Sequence, residues 1–360
     1  MKQIKETRAS SFLIGELPVG CKQCIEGKKI VIFITGLCTL PDLCSYYCPI
    51  SDERKGKNPG YANDRPISSF DDVLIEAKNM DAKGAGITGG DPLIVIEKTI
   101  DYISKLKKHF GRDFHIHLYC SSSPYLTIQN IRKLKDAGLD EIRFHVDEDQ
   151  WHMMLEAKQI GLKVGAEVPA IDLDELKKLG NFLSENKLDF LNLNEFEFSE
   201  TNAEALKEKG FKLMQDSLIA IEGSEKIAKK FMNWALKHLS LNIHFCTVRL
   251  KDGFQFKNRM IRTAKNIHEP HEVVTDEGLI LKGIISWNNE EEKLKILSLI
   301  DEYFEIPEDF MKVNETEQKV EIQWEILDES NALFKSNGLG CGIVEVLPDY
   351  KRTLIRYDPY

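Results

Sequence analysis

The sequence lacks a long hydrophobic run near its start, and it lacks low-complexity segments. The first twenty residues contain an apolar run of only three residues, Phe12–Ile14. Such a run is too short for the core of a signal peptide or for a membrane span. These absences exclude a secreted or membrane-spanning chain, and they predict a cytoplasmic protein with no membrane partner.

The composition is that of a globular protein, with 42% apolar and 29% charged residues. A length of 360 residues exceeds one typical core, so a large domain with a smaller one is expected. From residue 270 onward there are 20 acidic and 9 basic residues, whereas residues 1–269 carry 38 and 39. The acidic tail is therefore not expected to bind nucleic acid, but the neutral first part can carry a local basic patch.

Five of the eight cysteines lie between Cys21 and Cys48. A reducing compartment keeps them as thiols, so their clustering indicates a metal site. The segment TGLCTLPDLCSYYCPIS directly follows the apolar run KIVIFIT and contains Cys38, Cys44 and Cys48. The gaps of five and three residues fit a structural zinc site poorly. Three thiolates can hold a [4Fe–4S] cluster and leave one iron open, which indicates catalysis rather than electron storage.

Seven short runs rich in β-branched residues alternate with amphipathic helical patterns. Alternating strands and helices predict an α/β fold with a parallel sheet, and this number of units favours a full or partial TIM-like (β/α) barrel. Catalytic residues are then expected at the carboxyl ends of the strands. The predicted strands are 29–35, 85–88, 115–119, 141–146, 163–168, 190–194 and 242–246.

After the second of these strands the sequence reads Gly89, Gly90, Asp91 and Pro92. We expect a helix with Asp91 as its N-cap and Pro92 at its first position, so that the helix dipole points at the site.

The pattern changes near residue 269. We predict an N-terminal extension over 1–28, the barrel over 29–268, and a small acidic α+β domain over 269–360. In the last of these, strands are expected at 278–286, 313–323, 342–347 and 353–357, with helices at 289–303 and 325–335.

The cysteine loop, Tyr47 next to Cys48, and the Gly89–Pro92 turn together resemble the radical S-adenosylmethionine (SAM) superfamily. Segments such as GELPVGCKQC, GITGGDPL and LNLNEFEFSETN resemble a poorly characterised archaeal branch related to pyruvate formate-lyase activating enzyme. The resemblance implies a cluster on Cys38, Cys44 and Cys48, SAM bound to the open iron, and a 5′-deoxyadenosyl radical that abstracts a substrate hydrogen. It also implies an electron donor such as ferredoxin or flavodoxin. The cysteine spacing departs from the usual three and two residues of that superfamily.

Polar residues near the predicted strand ends are the further candidates for binding SAM. They are His117, Ser121, His145, Glu167 and Asn194. Cys120 is a weak candidate for a catalytic hydrogen donor, because a buried cysteine is usually a small apolar residue.

A second metal site is a further hypothesis. Cys21 and Cys24 have the two-residue gap of a metal knuckle, and His244 and Cys246 end the last barrel strand. Together they could bind zinc or an auxiliary iron–sulfur cluster.

The sequence leaves the substrate open among a protein, an RNA and a metabolite. Arg259, Arg262 and Lys265 form a basic stripe if residues 254–266 are helical, with Phe256, Met260, Thr263 and Ala264 facing inward. Such a stripe suits RNA, although a helix that docks the acidic tail explains it as well. The alternative function is a non-catalytic iron–sulfur carrier or sensor, which would not cleave SAM.

Overall fold

The computed structural model describes residues 3–39 and 46–360. Internal contacts divide the chain into two compact units. The first comprises the residues up to Lys78 and Ala82–Phe256, and the second comprises Asn79–Asp81 and Lys257–Tyr360. No helix within these described ranges is both long and apolar enough to cross a membrane.

The first unit alternates strands and helices over most of its length. In chain order its elements are β1 (Ile4–Glu6), β2 (Phe12–Ile14), α1 (Val19–Ile25), β3 (Lys29–Phe33), β4 (Gly60–Ala62), β5 (Arg65–Ile67), α2 (Phe70–Asn79), β6 (Gly84–Thr88), α3 (Ile96–Phe110), β7 (His115–Ser121), α4 (Ile128–Ala137), β8 (Glu141–His145), α5 (His152–Gln159), β9 (Lys163–Pro169), α6 (Leu173–Glu185), β10 (Phe190–Asn194), α7 (Ala203–Glu208), α8 (Ser224–His238), β11 (Asn242–Cys246) and α9 (Val248–Leu250).

One sheet organises this unit, with strands in the order β1-β2-β11-β10-β9-β8-β7-β6-β3-β4-β5. The seven strands from β3 to β11 in this order are parallel and follow the chain order, as in a (β/α) barrel. Among the described residues β3 and β11 do not pair with each other, because β4 and β2 occupy their outer edges antiparallel. The fold is therefore a partial TIM-like barrel, as the sequence predicts.

Strand β7 illustrates how the barrel is built. Its residues alternate, so Ile116, Leu118 and Cys120 share one side of the sheet and are buried. The next helix, α4, begins where the Thr127 side chain accepts a hydrogen bond from the Asn130 amide, and it ends at Gly138 in the left-handed conformation. These end signals fix the length of the helix that covers the sheet.

The helix after β6 begins later than the sequence predicts. Residues 91–95 form a turn in which Asp91 Oδ1 accepts a hydrogen bond from the Leu93 amide at 2.9 Å, and α3 starts at Ile96. The prediction of Asp91 as a helix N-cap is wrong, because its carboxylate caps this local turn instead. The helix dipole therefore starts one turn further from the glycines.

The second unit is an antiparallel sheet with three helices. Its elements are α10 (Lys257–Ile267), β12 (Val273–Val274), β13 (Ile280–Ser286), α11 (Glu290–Tyr303), β14 (Met311–Asn314), β15 (Lys319–Ile322), α12 (Trp324–Ser336), β16 (Gly340–Val346) and β17 (Leu354–Pro359). The main sheet has the order β14-β15-β13-β16-β17. A single strand over 313–323 is wrong, since Gln318, at a φ of +52°, reverses the chain between β14 and β15.

Helix α10 is preceded by a π-helical turn, Lys251–Phe256. Thr263 and Ala264 are buried as predicted, whereas the Phe256 side chain is 42% exposed and does not face inward. Arg262, predicted for the basic stripe, donates to the backbone oxygens of Met80 and Asp81 and pairs with the Asp81 carboxylate at 2.8 Å. This guanidinium is thus committed to contacts within the second unit.

Candidate functional site

The cysteine loop follows β3 at the carboxyl end of the barrel. Cys48 is buried and Cys38 is half-buried, while Cys44 lies outside the described residues. Burial raises the pKa of the Cys38 thiol, and the nearby Cys48 and Asp91 raise it further. The two described thiols therefore lie close enough to influence each other, as a shared cluster requires.

The glycine turn after β6 packs directly against this loop. The Gly90 amide donates to the Thr35 oxygen at 2.8 Å, and the Asp91 amide donates to the Leu37 oxygen at 2.7 Å. A Cβ atom on Gly90 would lie 2.2 Å from the Leu37 oxygen and 2.8 Å from Cys38 Sγ. Only glycine fits there, so two segments that are distant in sequence form one structure.

Two cavities lie beside the loop. The outer cavity, of about 310 Å³, is lined by residues that include Tyr47, Ser121 and His145. The rim cavity, of about 170 Å³, shares Tyr47 and His145 and adds Glu167 and Asn194. Tyr47 Oη and His145 Nε2 are 3.2 Å apart and their rings stack. Five side chains predicted to bind SAM, those of Tyr47, Ser121, His145, Glu167 and Asn194, thus line these two cavities.

A third, inner cavity of about 480 Å³ occupies the barrel interior, and all seven parallel strands contribute to its lining. It extends from α1 and the start of β3 to the carboxyl ends of the strands. Its lining residues are Cys21, Cys24, Lys29, Val31, Gly86, Thr88, Tyr119, Arg143, Glu167, Asn192, Asn194, Glu197, His244, Cys246, Lys251 and Gln255.

Arg143 lies at the centre of a buried ion network in this cavity. Its guanidinium pairs with Glu141 at 2.6 Å and with Glu167 at 2.7 Å. Burial alone would raise the pKa of Glu167, but Arg143 and the Asn192 hydrogen bond lower it to about 2. Asn194 also donates to Glu167, at 3.1 Å. Glu167 is therefore ionised and held in one orientation.

His117 does not lie at a strand end, in contrast to the prediction. Strand β7 runs on to Ser121, so His117 is only its third residue. The His117 ring is fully buried at the bottom of the barrel, with Nε2 3.3 Å from Lys29 Nζ. Burial lowers its pKa well below the ordinary value, and Arg143 and Lys29 lower it further, so the ring is neutral.

Cys120 does not face any of the three cavities. It alternates with Tyr119 and Ser121, which line cavities, and its thiol donates to the Arg143 carbonyl oxygen at 3.6 Å. This side of the sheet faces the helices. Cys120, the candidate hydrogen donor, therefore packs between the sheet and the helices.

The four residues of the second metal hypothesis share the inner cavity, but their ligand atoms do not converge. The Gln255 amide group lies between two thiols, accepting from Cys24 at 2.9 Å and donating to Cys246 at 3.5 Å. Burial raises the pKa of Cys21 to about 11 and lowers that of His244 to about 4. Within residues 3–39 and 46–360, the ligand atoms that approach closely enough for a metal are those of His271, Glu272 and Glu321, and Lys282 already pairs with both carboxylates.

Lys29 and Arg143 are cavity residues that the sequence analysis does not identify. Lys29 begins the otherwise apolar strand KIVIF, and Arg143 lies in EIRFH, where polar and apolar residues alternate. Glu141, Arg143 and His145 occupy alternate positions of β8, and this period of two is the signal that could have placed them on one inward face.

Comparisons with known proteins give one family model, one curated relative and distant structures. A model described as a domain of unknown function (DUF8061) matches residues 278–359. A curated protein of Methanocaldococcus jannaschii, named "Putative glycyl-radical enzyme activating enzyme", is 39% identical over 301 residues, which are 80% of this chain and 78% of that protein.

Among solved structures, SuiB of Streptococcus suis is 15% identical with a TM-score of 0.40, and it aligns with 61% of this chain and 49% of its own. HydG, a maturase of the [FeFe]-hydrogenase, is 12% identical with a TM-score of 0.41, and it aligns with 68% of this chain and 65% of its own. The chain thus spans less than two thirds of either protein.

Proposed function

Because the chain belongs to the radical SAM enzymes of the glycyl-radical enzyme activating type, we propose that Cys38, Cys44 and Cys48 hold a [4Fe–4S] cluster and that the enzyme cleaves SAM reductively. When bound, the cluster and SAM would supply a 5′-deoxyadenosyl radical. That radical would abstract hydrogen from a carbon of the substrate, and a ferredoxin or flavodoxin would deliver the electron.

The observation that carries this proposal is the contact between the glycine turn and the cysteine loop. The Gly90 and Asp91 amides are hydrogen-bonded to the oxygens of Thr35 and Leu37, and a side chain on Gly90 would collide with Cys38 Sγ. A plain βα turn does not require its backbone to lie this close to a neighbouring cysteine loop. An enzyme that binds an amino acid cofactor next to a metal does require the backbone of the glycine turn and that of the cysteine loop at one place.

The remaining polar side chains suit binding and orientation. The Tyr47 and His145 pair borders both the outer and the rim cavity, and Glu167 presents a fixed negative charge beside Asn194. A carboxylate held at a pKa of about 2 accepts hydrogen bonds from hydroxyl groups such as those of a ribose throughout the neutral range. We assign Tyr47, His145, Glu167 and Asn194 to binding SAM.

The test is cleavage of SAM by the full chain after anaerobic reconstitution with iron and sulfide and reduction with dithionite. The wild type is expected to release 5′-deoxyadenosine. Cys38→Ala and Cys48→Ala are each expected to lose the brown chromophore and the product, because each thiolate holds one iron.

Cys341→Ala is the matched control, since Cys341 is a buried thiol of the second unit. It should retain both cluster and product. Variants of Cys38 and Cys48 that keep a full complement of iron and still cleave SAM would contradict the assignment. A reconstituted wild type that holds its cluster but releases no 5′-deoxyadenosine would favour the iron–sulfur carrier.

The name of the M. jannaschii relative adds a glycyl-radical enzyme to the candidate substrates of this chain. RNA is less favoured, since Arg262 of the basic stripe is paired with Asp81. Any substrate must bring a C–H bond to the carboxyl ends of the strands, where the cysteine loop lies.

A further inference from the structure

The inner cavity contains one cation that differs from the others. Arg143 pairs with Glu141 and Glu167, and Lys251 pairs with Glu197 at 3.0 Å. Lys29 is only 8% exposed, and within the described part of the chain it forms no ion pair with a carboxylate. Its Nζ contacts the neutral ring of His117 at 3.3 Å, which leaves two of its three N–H groups for another acceptor.

A buried ammonium without an anion is unfavourable, because the protein must remove it from water without the compensation of an ion pair. The other two cations of the cavity, Arg143 and Lys251, are each paired with a glutamate. Among the described residues no glutamate pairs directly with Lys29. Its charge helps to lower the pKa of Glu167, but that carboxylate is already paired with Arg143 at 2.7 Å, which leaves Lys29 to an anion from outside the chain.

Other groups in the same cavity also lack partners. Asn192 Oδ1 and both ring nitrogens of His244 are buried and form no hydrogen bond with the residues that the structure describes, and both side chains are 2% exposed. They offer acceptors and a donor to a polar molecule that fills the space between β10, β11 and α1. The volume of about 480 Å³ lies in the range of sites for small molecules.

We propose that the inner cavity binds a small organic acid whose carboxylate pairs with Lys29 and whose polar groups contact Asn192 and His244. This site goes beyond the proposed function, because Lys29 lies at the start of β3, whereas the cysteine loop follows the carboxyl end of that strand. Glu167 and Asn194 border both the inner and the rim cavity, so the two spaces meet there.

The charges favour a single carboxylate over a phosphate. A phosphate dianion generally requires several cations or a group of backbone amides. Lys29 is one cation, and the carboxylates of Glu167 and Glu197 line the same cavity and would repel a second negative charge. One carboxylate matches one ammonium.

The test is binding to the full chain, measured without SAM or reductant by saturation-transfer difference NMR and calorimetry. The probes are acetate, L-lactate and butyrate, each against its neutral amide, with inorganic phosphate as a separate arm. The wild type should bind at least one carboxylate at least tenfold more tightly than its amide and more tightly than phosphate.

Lys29→Met should remove this preference, since methionine is of similar length but carries no charge, and it should fold because it removes an unpaired buried cation. Lys29→Arg should retain part of the preference. Lys105→Met, on the exposed side of α3 and paired with Asp101 at 2.7 Å, should bind as the wild type does.

Equal affinity for carboxylates and amides in the wild type, or an unchanged preference in Lys29→Met, would overturn the inference. A preference for phosphate would overturn it as well. Release of 5′-deoxyadenosine is measured separately, so failure of the proposed function can be distinguished from failure of the carboxylate site. Carboxylate binding without SAM cleavage would support the site and contradict the radical chemistry. SAM cleavage without carboxylate selectivity would contradict only the site.

Discussion

Arg143 is the residue on which the barrel interior depends most. It is 2% exposed, bonds Glu141, Glu167 and the Tyr119 hydroxyl, and lies near the backbone of Gly20 in α1. Such a buried ion network contributes little net stability when it is intact, but removal of Arg143 takes the arginine ion pair from both buried carboxylates, of which Glu141 keeps a contact with His115 at 3.6 Å. Its charge therefore fixes the position of Glu167 and with it the floor of the rim cavity.

Arg143→Met is expected to lower the free energy of unfolding by about 3–5 kcal/mol at neutral pH, as measured by chemical denaturation. The exposed Arg112 gives the matched control, Arg112→Met, which should change stability little. An Arg143→Met variant as stable as the control would show that Glu141 and Glu167 find other partners.

The pH dependence of this difference is also predicted. The pKa of Glu167 in the folded wild type is about 2, below the ordinary 4.5, so its stabilising contribution is present above pH 4.5 and is lost as the pH falls toward 2. Without Arg143, burial raises the pKa of the same carboxyl, so in acid the folded variant holds Glu167 in its neutral form. The difference in the free energy of unfolding between wild type and Arg143→Met should therefore become smaller as the pH falls.

At the scale of elements, the glycine turn and the cysteine loop form one unit. Gly90→Ala should disturb this unit, because the added Cβ would lie 2.2 Å from the backbone oxygen of Leu37, which cannot rotate away. We expect a loss of about 1–3 kcal/mol in stability, with poor retention of iron after reconstitution.

Gly253→Ala is the control, since a Cβ there meets no atom within 4 Å and the backbone has no positive φ. Iron content and thermal unfolding of the two variants give the comparison. Normal cluster assembly in Gly90→Ala would mean that the loop can move away from the turn.

The sequence predicts the barrel strands well, and the reason is physical. Strands of a parallel sheet are buried on both faces, so they tend to read as short apolar runs such as IVIF in β3. In FLNLN of β10 the apolar residues alternate with two asparagines that line the inner cavity. The start of α3 was predicted wrongly because Asp91 and Pro92 suit a turn as well as a helix N-terminus. The hairpin at Gln318 was missed because no glycine or Asn-Gly pair marks it.

The position of the candidate site was predictable to the extent that its residues adjoin strand ends. His145 and Asn194 end β8 and β10, and the loop with Cys38 and Cys48 follows β3, whereas the roles of these residues stay predictions. Lys29 and His117 lie near strand starts, and only the docking of α1 into the barrel brings them beside the inner cavity. Such a placement depends on tertiary packing, which no local pattern records.

At the scale of the whole molecule, the second unit includes Asn79–Asp81, a segment far upstream of its other residues. Arg262 binds this segment through two backbone oxygens and the Asp81 carboxylate. Arg262→Ala should lower the free energy of unfolding by about 1 kcal/mol. Three hydrogen bonds are lost, but water can reach these groups and replaces the bonds in part.

Hydrogen exchange measures this effect locally. The amides of α10 should exchange faster in Arg262→Ala, while those of β8 in the first unit should not change. Lys265→Ala, on an exposed position of the same helix, is the control. Equal exchange in α10 for both variants would show that the helix does not depend on the upstream segment.

The division of the chain into two units also affects how the second unit is synthesised and how it could be exchanged between genes. The family model matches residues 278–359, yet the compact unit in this chain also includes α10 and Asn79–Asp81. A ribosome synthesises Asn79–Asp81 long before the other residues of the second unit. These three residues therefore lack their final neighbours until the whole first unit has emerged. A gene fragment cut at the boundaries of the matched residues would therefore encode an incomplete unit, and exchange of these residues between proteins would have to carry, or replace, a short piece of the barrel.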